Sequence, residues 1–190
     1  MKFKITLFLL ALCVAKLTSA QDFKGHVAVT YGILNEKIRV QYEMPIKSRA
    51  SYGVNMNYYL VNWTGPVFEP FIRIYSKKDG NGEGFFGQAK AIYGNLSTLD
   101  FDLYDGAIKN ERWSTFGFGL SGGHKFLLGK HFTIEYLTGF RILSPPSITY
   151  ESGFDETSYQ ETYQELGEDI GWYVTTGFPL DFQLKCGFQF

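Results

Sequence analysis

The last stretch of the chain, from Phe178 to Phe190, alternates strictly between apolar and polar side chains. The apolar set is Phe178, Leu180, Phe182, Leu184, Cys186, Phe188 and Phe190, and the residues between them are Pro179, Asp181, Gln183, Lys185, Gly187 and Gln189. A period of two predicts a β-strand with one apolar and one polar face. A soluble sandwich turns the apolar face inward, whereas a membrane barrel turns it outward into lipid, with about 9–11 residues per strand.

The start of the chain has the pattern of a secretory signal peptide. Lys2 and Lys4 precede an apolar run over residues 5–15, and the small residues Ser19 and Ala20 follow. We predict that residues 1–20 are a cleaved signal and that 21–190 form one domain. The apolar run is too short for a membrane-spanning helix, which needs about 20 residues.

Charge and cysteine content restrict the function classes of the predicted mature chain. Its formal charge would be −4 instead of −1, because Lys2, Lys4 and Lys16 are removed with the signal. This balance argues against a nucleic-acid partner, which usually requires a basic patch. Cys186 would be the one cysteine left, so no internal disulfide is expected. Aromatic residues make up 18% of the chain, as expected for a membrane barrel with aromatic side chains at both interfaces.

The same alternation predicts eight strands in all, at residues 24–33, 37–44, 51–60, 67–75, 84–93, 113–126, 131–142 and 178–190. The segment 62–66 is expected to break the pattern, and Pro70 suggests a bulge. Short turns alternate with longer connections, which include residues 94–112 and 143–177. An even number of strands joined in this way is typical of a membrane barrel with its termini in the periplasm.

Charged residues in the middle of the strands distinguish the two kinds of barrel. They share the polar faces with many small residues, and they comprise Arg39, Glu43, Glu69, Arg73, Lys90, Lys125, Glu135, Arg141, Asp181 and Lys185. In a soluble fold they would face water. In a narrow membrane barrel they would fill the interior as paired ions. Because the apolar faces are large on every strand, we predict an all-β fold, an eight-stranded antiparallel up-and-down transmembrane β-barrel.

Two segments resemble a family of small Bacteroidetes outer-membrane barrels of unknown function. The segment Phe68–Tyr75 followed by Gly84–Gly87 is similar to a strand pair of that family, and Gly122–Phe132 is similar to its glycine-aromatic strand and LLGK turn. The resemblance implies an OmpA-like barrel in a Gram-negative outer membrane and supplies no activity. It also implies that Phe190 is the signal recognised by the barrel-assembly machinery.

The sequence offers no catalytic or cofactor motif. His26, His124 and His131 are not expected at the outer leaflet, where barrel-borne hydrolases place their base. The acidic residues at 100, 102, 105 and 111 are spaced like a calcium loop, but Asp105 stands where that loop requires glycine. We therefore predict no enzyme activity, no cofactor and no metal site.

A run of carboxylates occupies the last long connection. It contains Glu151, Asp155, Glu156, Glu161, Glu165, Glu168 and Asp169, with tyrosines between them. The simplest interpretation is a solvated surface loop. The functional alternative is a contact surface for a cationic extracellular partner, or for divalent ions that bridge lipopolysaccharide. We expect a structural or surface-interaction barrel in the lipid of the outer membrane. A narrow channel or transporter for small solutes and a secreted lipocalin-like binding barrel are the alternatives.

Overall fold

The computed structural model describes residues 25–32, 37–47, 49–60, 63–77, 82–98, 108–110, 112–145, 149–150, 170–174, 176 and 178–190. This part of the chain contains ten strands. The strands are β1 (His26–Gly32), β2 (Lys37–Lys47), β3 (Ala50–Tyr59), β4 (Trp63–Tyr75), β5 (Gly84–Thr98), β6 (Ile108–Asn110), β7 (Arg112–Leu128), β8 (Phe132–Leu143), β9 (Thr149–Tyr150) and β10 (Leu180–Gln189). The proposed signal peptide lies outside the described residues.

Eight of these strands close into one antiparallel barrel. Each barrel strand pairs with the next one along the chain, and β1 pairs with β10 to complete the cylinder. Next to this closure, Gly25 and Phe190 exchange two backbone hydrogen bonds of 3.0 Å. The predicted eight-stranded up-and-down barrel is therefore confirmed. The short strands β6 and β9 form a separate two-stranded sheet that the sequence did not predict.

Several strands extend further than the alternation predicted. The predicted break at 62–66 is wrong from Trp63 onward, because β4 begins there. Gly65 continues the strand with a φ of 142°, where a Cβ atom would lie 2.3 Å from the carbonyl oxygen of Asn95. The bulge predicted at Pro70 is also wrong, since the pairing of β4 with β3 keeps one register through that residue. At the other end of the chain, β10 begins at Leu180 and not at Phe178.

The two ends of the barrel differ. The turn end carries the connections after β2, β4 and β7, together with the start of β1 and the end of β10. The loop end carries the other connections, and β5 reaches Thr98 there, five residues beyond its predicted end. Leu143 belongs to β8, so the predicted 143–177 loop starts one residue later and contains β9 and a helical turn at 170–174. Of the described residues, none belongs to a helix with the length and apolar character needed to cross a membrane.

The barrel is polar inside and apolar outside. On β10, Phe182 and Leu184 are 71% and 57% exposed, while Asp181, Gln183 and Lys185 are buried. The same alternation runs through β4, β7 and β8. Since neighbouring strands are paired in register, residues of one face form continuous rows around the cylinder. The core of this protein is therefore the charged interior of a closed sheet.

Candidate functional site in the barrel interior

All ten charged residues that the sequence placed on the polar faces lie buried inside the barrel. They are Arg39, Glu43, Glu69, Arg73, Lys90, Lys125, Glu135, Arg141, Asp181 and Lys185, and none is more than 5% exposed. Lys37 joins them at 7% exposure. Burial of isolated charges is very unfavourable unless they are paired and hydrogen-bonded. The contacts inside the barrel show how this requirement is met.

The turn-end cluster consists of Glu43, Arg73, Lys125, Glu135 and Lys185. The guanidinium of Arg73 binds Glu135 in a bidentate pair, with Nη2–Oε1 at 2.6 Å and Nη1–Oε2 at 2.8 Å. Arg73 also donates to Glu43 Oε2 at 2.9 Å, and Lys125 donates to the same oxygen at 2.8 Å. Lys185 lies 3.1 Å from Glu135. Five strands are tied together in this way.

Neutral groups complete the hydrogen bonds of that cluster. The hydroxyl groups of Ser51 and Tyr75 each donate to Glu43 Oε1 at 2.6 Å. Gln88 accepts from Nε of Arg73 at 2.6 Å. The same guanidinium lies over the ring of Phe86, with 4.2 Å from Cζ to the ring centroid. The hydrogen-bonding edges and one face of the Arg73 guanidinium are thus held, which fixes one geometry for the surrounding strands.

The middle cluster consists of Arg39, Glu69, Lys90 and Asp181. Glu69 accepts from Arg39 at 3.2 Å and from Lys90 at 2.9 Å. Lys90 also donates to Asp181 at 2.6 Å. Arg39 makes a further hydrogen bond to Asn57. Two cations face two carboxylates, so this layer is balanced in charge.

The charged layer nearest the loop end contains two cations and, among the described residues, no carboxylate. Lys37 donates to the hydroxyl of Tyr59 at 3.1 Å, and Arg141 donates to the same oxygen at 3.3 Å. We call Lys37 and Arg141 the mouth pair. Among the described residues neither forms an ion pair within 4.0 Å, whereas each of the five other buried Lys and Arg side chains does.

An apolar layer that the sequence did not predict lies above the mouth pair. It contains Tyr59, Trp63, Val67, Ile92, Leu96, Trp113, Leu143 and Trp172, all buried, and we call it the tryptophan cluster. The ring centroids of Trp63 lie 5.0 Å from Trp113 and 5.6 Å from Trp172. The available signals were Tyr59 and Ile92, two large residues on otherwise polar faces. At Leu96 and Trp113 the alternation is reversed, with the apolar residue inward and polar residues on the outer side, namely Asn95, Ser97, Arg112 and Ser114.

The interior as described carries more positive than negative charge. Seven inward cations face four carboxylates, so three positive charges remain when His26 is neutral. The turn-end cluster accounts for one of them and the mouth pair for two. The sequence-based count of six cations omitted Lys37, although its position on the polar face of β2 was visible.

One group of side chains has the composition of a metal site. His26, Glu43 and Glu135 place ligand atoms within 4.8 Å of one another. However, Arg73 already bonds both carboxylates, and Lys125 bonds Glu43. A divalent ion would have to displace these donors from a cluster in which cations are already in excess. The arrangement therefore favours an ion-pair network over a metal centre.

The histidines, Cys186 and the acidic residues that the sequence analysis named do not form one site among the described residues. His26 is buried at the turn end, with Nε2 at 2.7 Å from the hydroxyl oxygen of Thr133. His124 lies among outward aromatic rings, 4.4 Å from the centroid of Phe85, and His131 is in the turn after β7. Cys186 is exposed on the outer face. The acidic run, Glu151 to Asp169, and the acidic residues at 100, 102, 105 and 111 lie outside the described residues.

Comparison of the chain with models of protein families gives no match, and comparison with curated proteins gives none either.

Proposed function

We propose that this chain is a transmembrane β-barrel of a Gram-negative outer membrane, with a structural and surface-interaction role and no catalysis. The observation that carries the proposal is the inside-out distribution of side chains. Charged residues fill the interior, and large apolar residues cover the outside on all eight barrel strands. A soluble monomer rarely exposes a continuous apolar patch above a few hundred Å².

The outer surface also has the layers that a bilayer requires. Tyr31 and Tyr58 are exposed toward the loop end, and Tyr52 and Phe132 toward the turn end. Apolar side chains such as Met56, which is 44% exposed and lies between Tyr52 and Tyr58 on β3, occupy the level between them. Aromatic residues in membrane barrels concentrate at the two interfaces, with an apolar band between them. A closed sheet also satisfies the backbone hydrogen bonds that lipid cannot.

The interior supports a barrel that does not conduct. A water-filled path would leave solvent-accessible surface on the side chains that line it. Arg73 and Lys125 lie in the turn-end cluster and Glu69 in the middle cluster, and each of the three is 0% exposed. An eight-stranded barrel is only just wide enough for its own side chains. We therefore expect little or no conductance in planar bilayers. Stepwise single-channel currents would favour the alternative of a narrow channel.

The partners we propose follow from this location. Outer-membrane lipid and lipopolysaccharide would cover the apolar surface, and the barrel-assembly machinery would recognise Phe190 at the end of the chain. The acidic segment 151–169 is proposed as the contact surface for an extracellular partner. A signal peptide over residues 1–20 would direct export.

Heat-modifiable gel migration of the membrane fraction tests the proposal. A folded membrane barrel resists detergent at room temperature and migrates faster than the boiled chain. We expect the protein in the membrane fraction with this shift. A protein recovered in the soluble fraction without detergent would overturn the membrane assignment and favour the lipocalin-like alternative.

A further inference from the structure

At the loop end of the barrel, the tryptophan cluster resembles a ligand pocket that one of the protein's own side chains fills. The tryptophan cluster forms an apolar cup, and Trp172 is buried within it with no exposed surface. The side chain of Trp172 comes from the helical turn at 170–174 and not from a barrel strand. Its ring packs edge-on against Trp63 and Trp113, with centroid distances of 5.6 and 6.0 Å. Apolar cups with a few convergent polar groups, in the mouths of β-barrels, are common ligand sites.

The polar groups of this cup are cationic donors. Tyr59 belongs to the cup, and its hydroxyl is in contact with both Lys37 and Arg141. These two cations contribute two of the three excess positive charges inside the described barrel. Trp113 adds an indole N–H that is buried and has no hydrogen-bond acceptor among the described residues. Three donors therefore adjoin one apolar space, and none of the carboxylates that the structure describes lies with them.

Arg141 presents a carboxylate-binding edge that neutral groups now occupy. Its Nε donates to the carbonyl oxygen of Phe178 at 3.1 Å, and its Nη2 donates to that of Thr176 at 2.7 Å. Nε and Nη2 lie on one edge of the guanidinium, where a carboxylate accepts two parallel hydrogen bonds. Charge-assisted bonds of this kind are stronger than those to neutral carbonyl groups.

We propose that the mouth of the barrel is a binding site for a small aromatic carboxylate. In this structure Trp172 occupies the place of the ligand's ring, and the carbonyl groups of Thr176 and Phe178 occupy the place of its carboxylate. The ring of the ligand takes the place of the indole, and its carboxylate takes the edge of Arg141 near Lys37. Trp172 and the two carbonyl groups lie on one segment of the chain, so the ligand and that segment compete for the same site.

The segment is attached in a way that allows exchange. Trp172 is buried, whereas Ile170, Tyr173 and Val174 of the same turn are exposed. Trp172 is thus the buried side chain of the helical turn, and Thr176 just after the turn is buried as well. Segments with few buried contacts open at low free energy compared with the rest of a fold.

Calorimetric titration of the full-length barrel with phenylacetate tests the proposal, with phenylacetamide as the neutral probe of the same shape. Trp172→Ala vacates the cup, and we expect it to bind phenylacetate about 10-fold more tightly than the amide, because charged acceptors form the stronger bonds. Wild type should bind phenylacetate more weakly than W172A. Val174→Ala, on the exposed side of the same turn, should behave as wild type.

Two further variants separate the site from a general loss of packing. In the W172A background, Lys37→Met should weaken phenylacetate binding several-fold and leave the amide unchanged. If W172A does not fold, Trp172→Leu keeps an apolar side chain in the cup, and the same preference is expected. Equal affinity for the two probes, or no binding by a folded variant, would overturn the proposal. The titration works in detergent or in buffer, so its outcome does not depend on the proposed membrane location.

Discussion

Glu69→Gln removes one negative charge from the middle cluster and changes the side-chain volume very little. Glu69 accepts hydrogen bonds from Arg39, Lys90 and Asn55, at 3.2, 2.9 and 3.3 Å. Among the described residues it is the one carboxylate paired with Arg39. Lys90 keeps Asp181 at 2.6 Å. The substitution therefore leaves Arg39 buried without an ionic partner, in an interior that already has excess positive charge.

The expected destabilisation is large because the orphaned charge is desolvated. Removal of one partner of a buried pair costs about 3–5 kcal/mol. The matched control is Glu83→Gln, which breaks the exposed pair with Lys77, whose nitrogen and oxygen are 3.8 Å apart. Exposed pairs contribute about 0–1 kcal/mol, so E83Q should be close to wild type.

Urea unfolding followed by the fluorescence of the three interior tryptophans measures both variants. A second substitution, Arg39→Met, should recover part of the loss in E69Q, since it removes the unpaired cation. If E69Q and E83Q are equally stable, the interior is hydrated and the reasoning about desolvated charges is wrong.

Two further predictions concern packing and the acidic segment. Gly139→Ala should destabilise the barrel by about 1–3 kcal/mol in the same unfolding assay, since its Cβ would lie 2.2 Å from the carbonyl oxygen of Leu120. Gly87→Ala, with no atom within 4 Å of its Cβ, should stay within about 0.5 kcal/mol of wild type, and a similar loss in both would refute the packing argument. In the acidic segment, three carboxylates can be replaced by Gln together, namely Glu161, Glu165 and Glu168. The replacement should leave heat-modifiable folding intact but weaken binding to cells or partners, and unchanged binding would contradict the contact-surface hypothesis.

The sequence predicted the barrel because alternation is strict where one face is polar. On β10 every inward residue from Asp181 to Gln189 is polar or glycine, so the strand and its orientation could both be predicted. The inward position of the ten network residues follows from the same period. Their partners could not be predicted, because the 2.6 Å contact between Arg73 and Glu135 depends on the curvature and register of the closed sheet.

The tryptophan cluster was missed for a physical reason. Toward the loop end the interior is apolar and the alternation is reversed, so Leu96 and Trp113 face inward while the residues beside them on the outer face are polar. The pair Gly65 and Pro66 led to the prediction of a turn that included Trp63. The strand β4 nevertheless runs through these residues without a break. The position of Trp172 depends on how a long connection returns to the barrel, and local patterns hold no information about that return.

The central claim is that the apolar outer surface of the barrel faces acyl chains. A nitroxide attached to Phe182→Cys, with Cys186→Ser to leave one reactive thiol, measures the surroundings of a position that is 71% exposed, the highest value among the large apolar residues that the structure describes. Lys77→Cys in the same background serves as the control, since its side chain is 61% exposed beyond the end of β4. In lipid vesicles we predict that the label at 182 collides more with oxygen than with a water-soluble nickel complex, and that the label at 77 does the opposite. Preferential collision of both labels with the nickel complex would contradict the account.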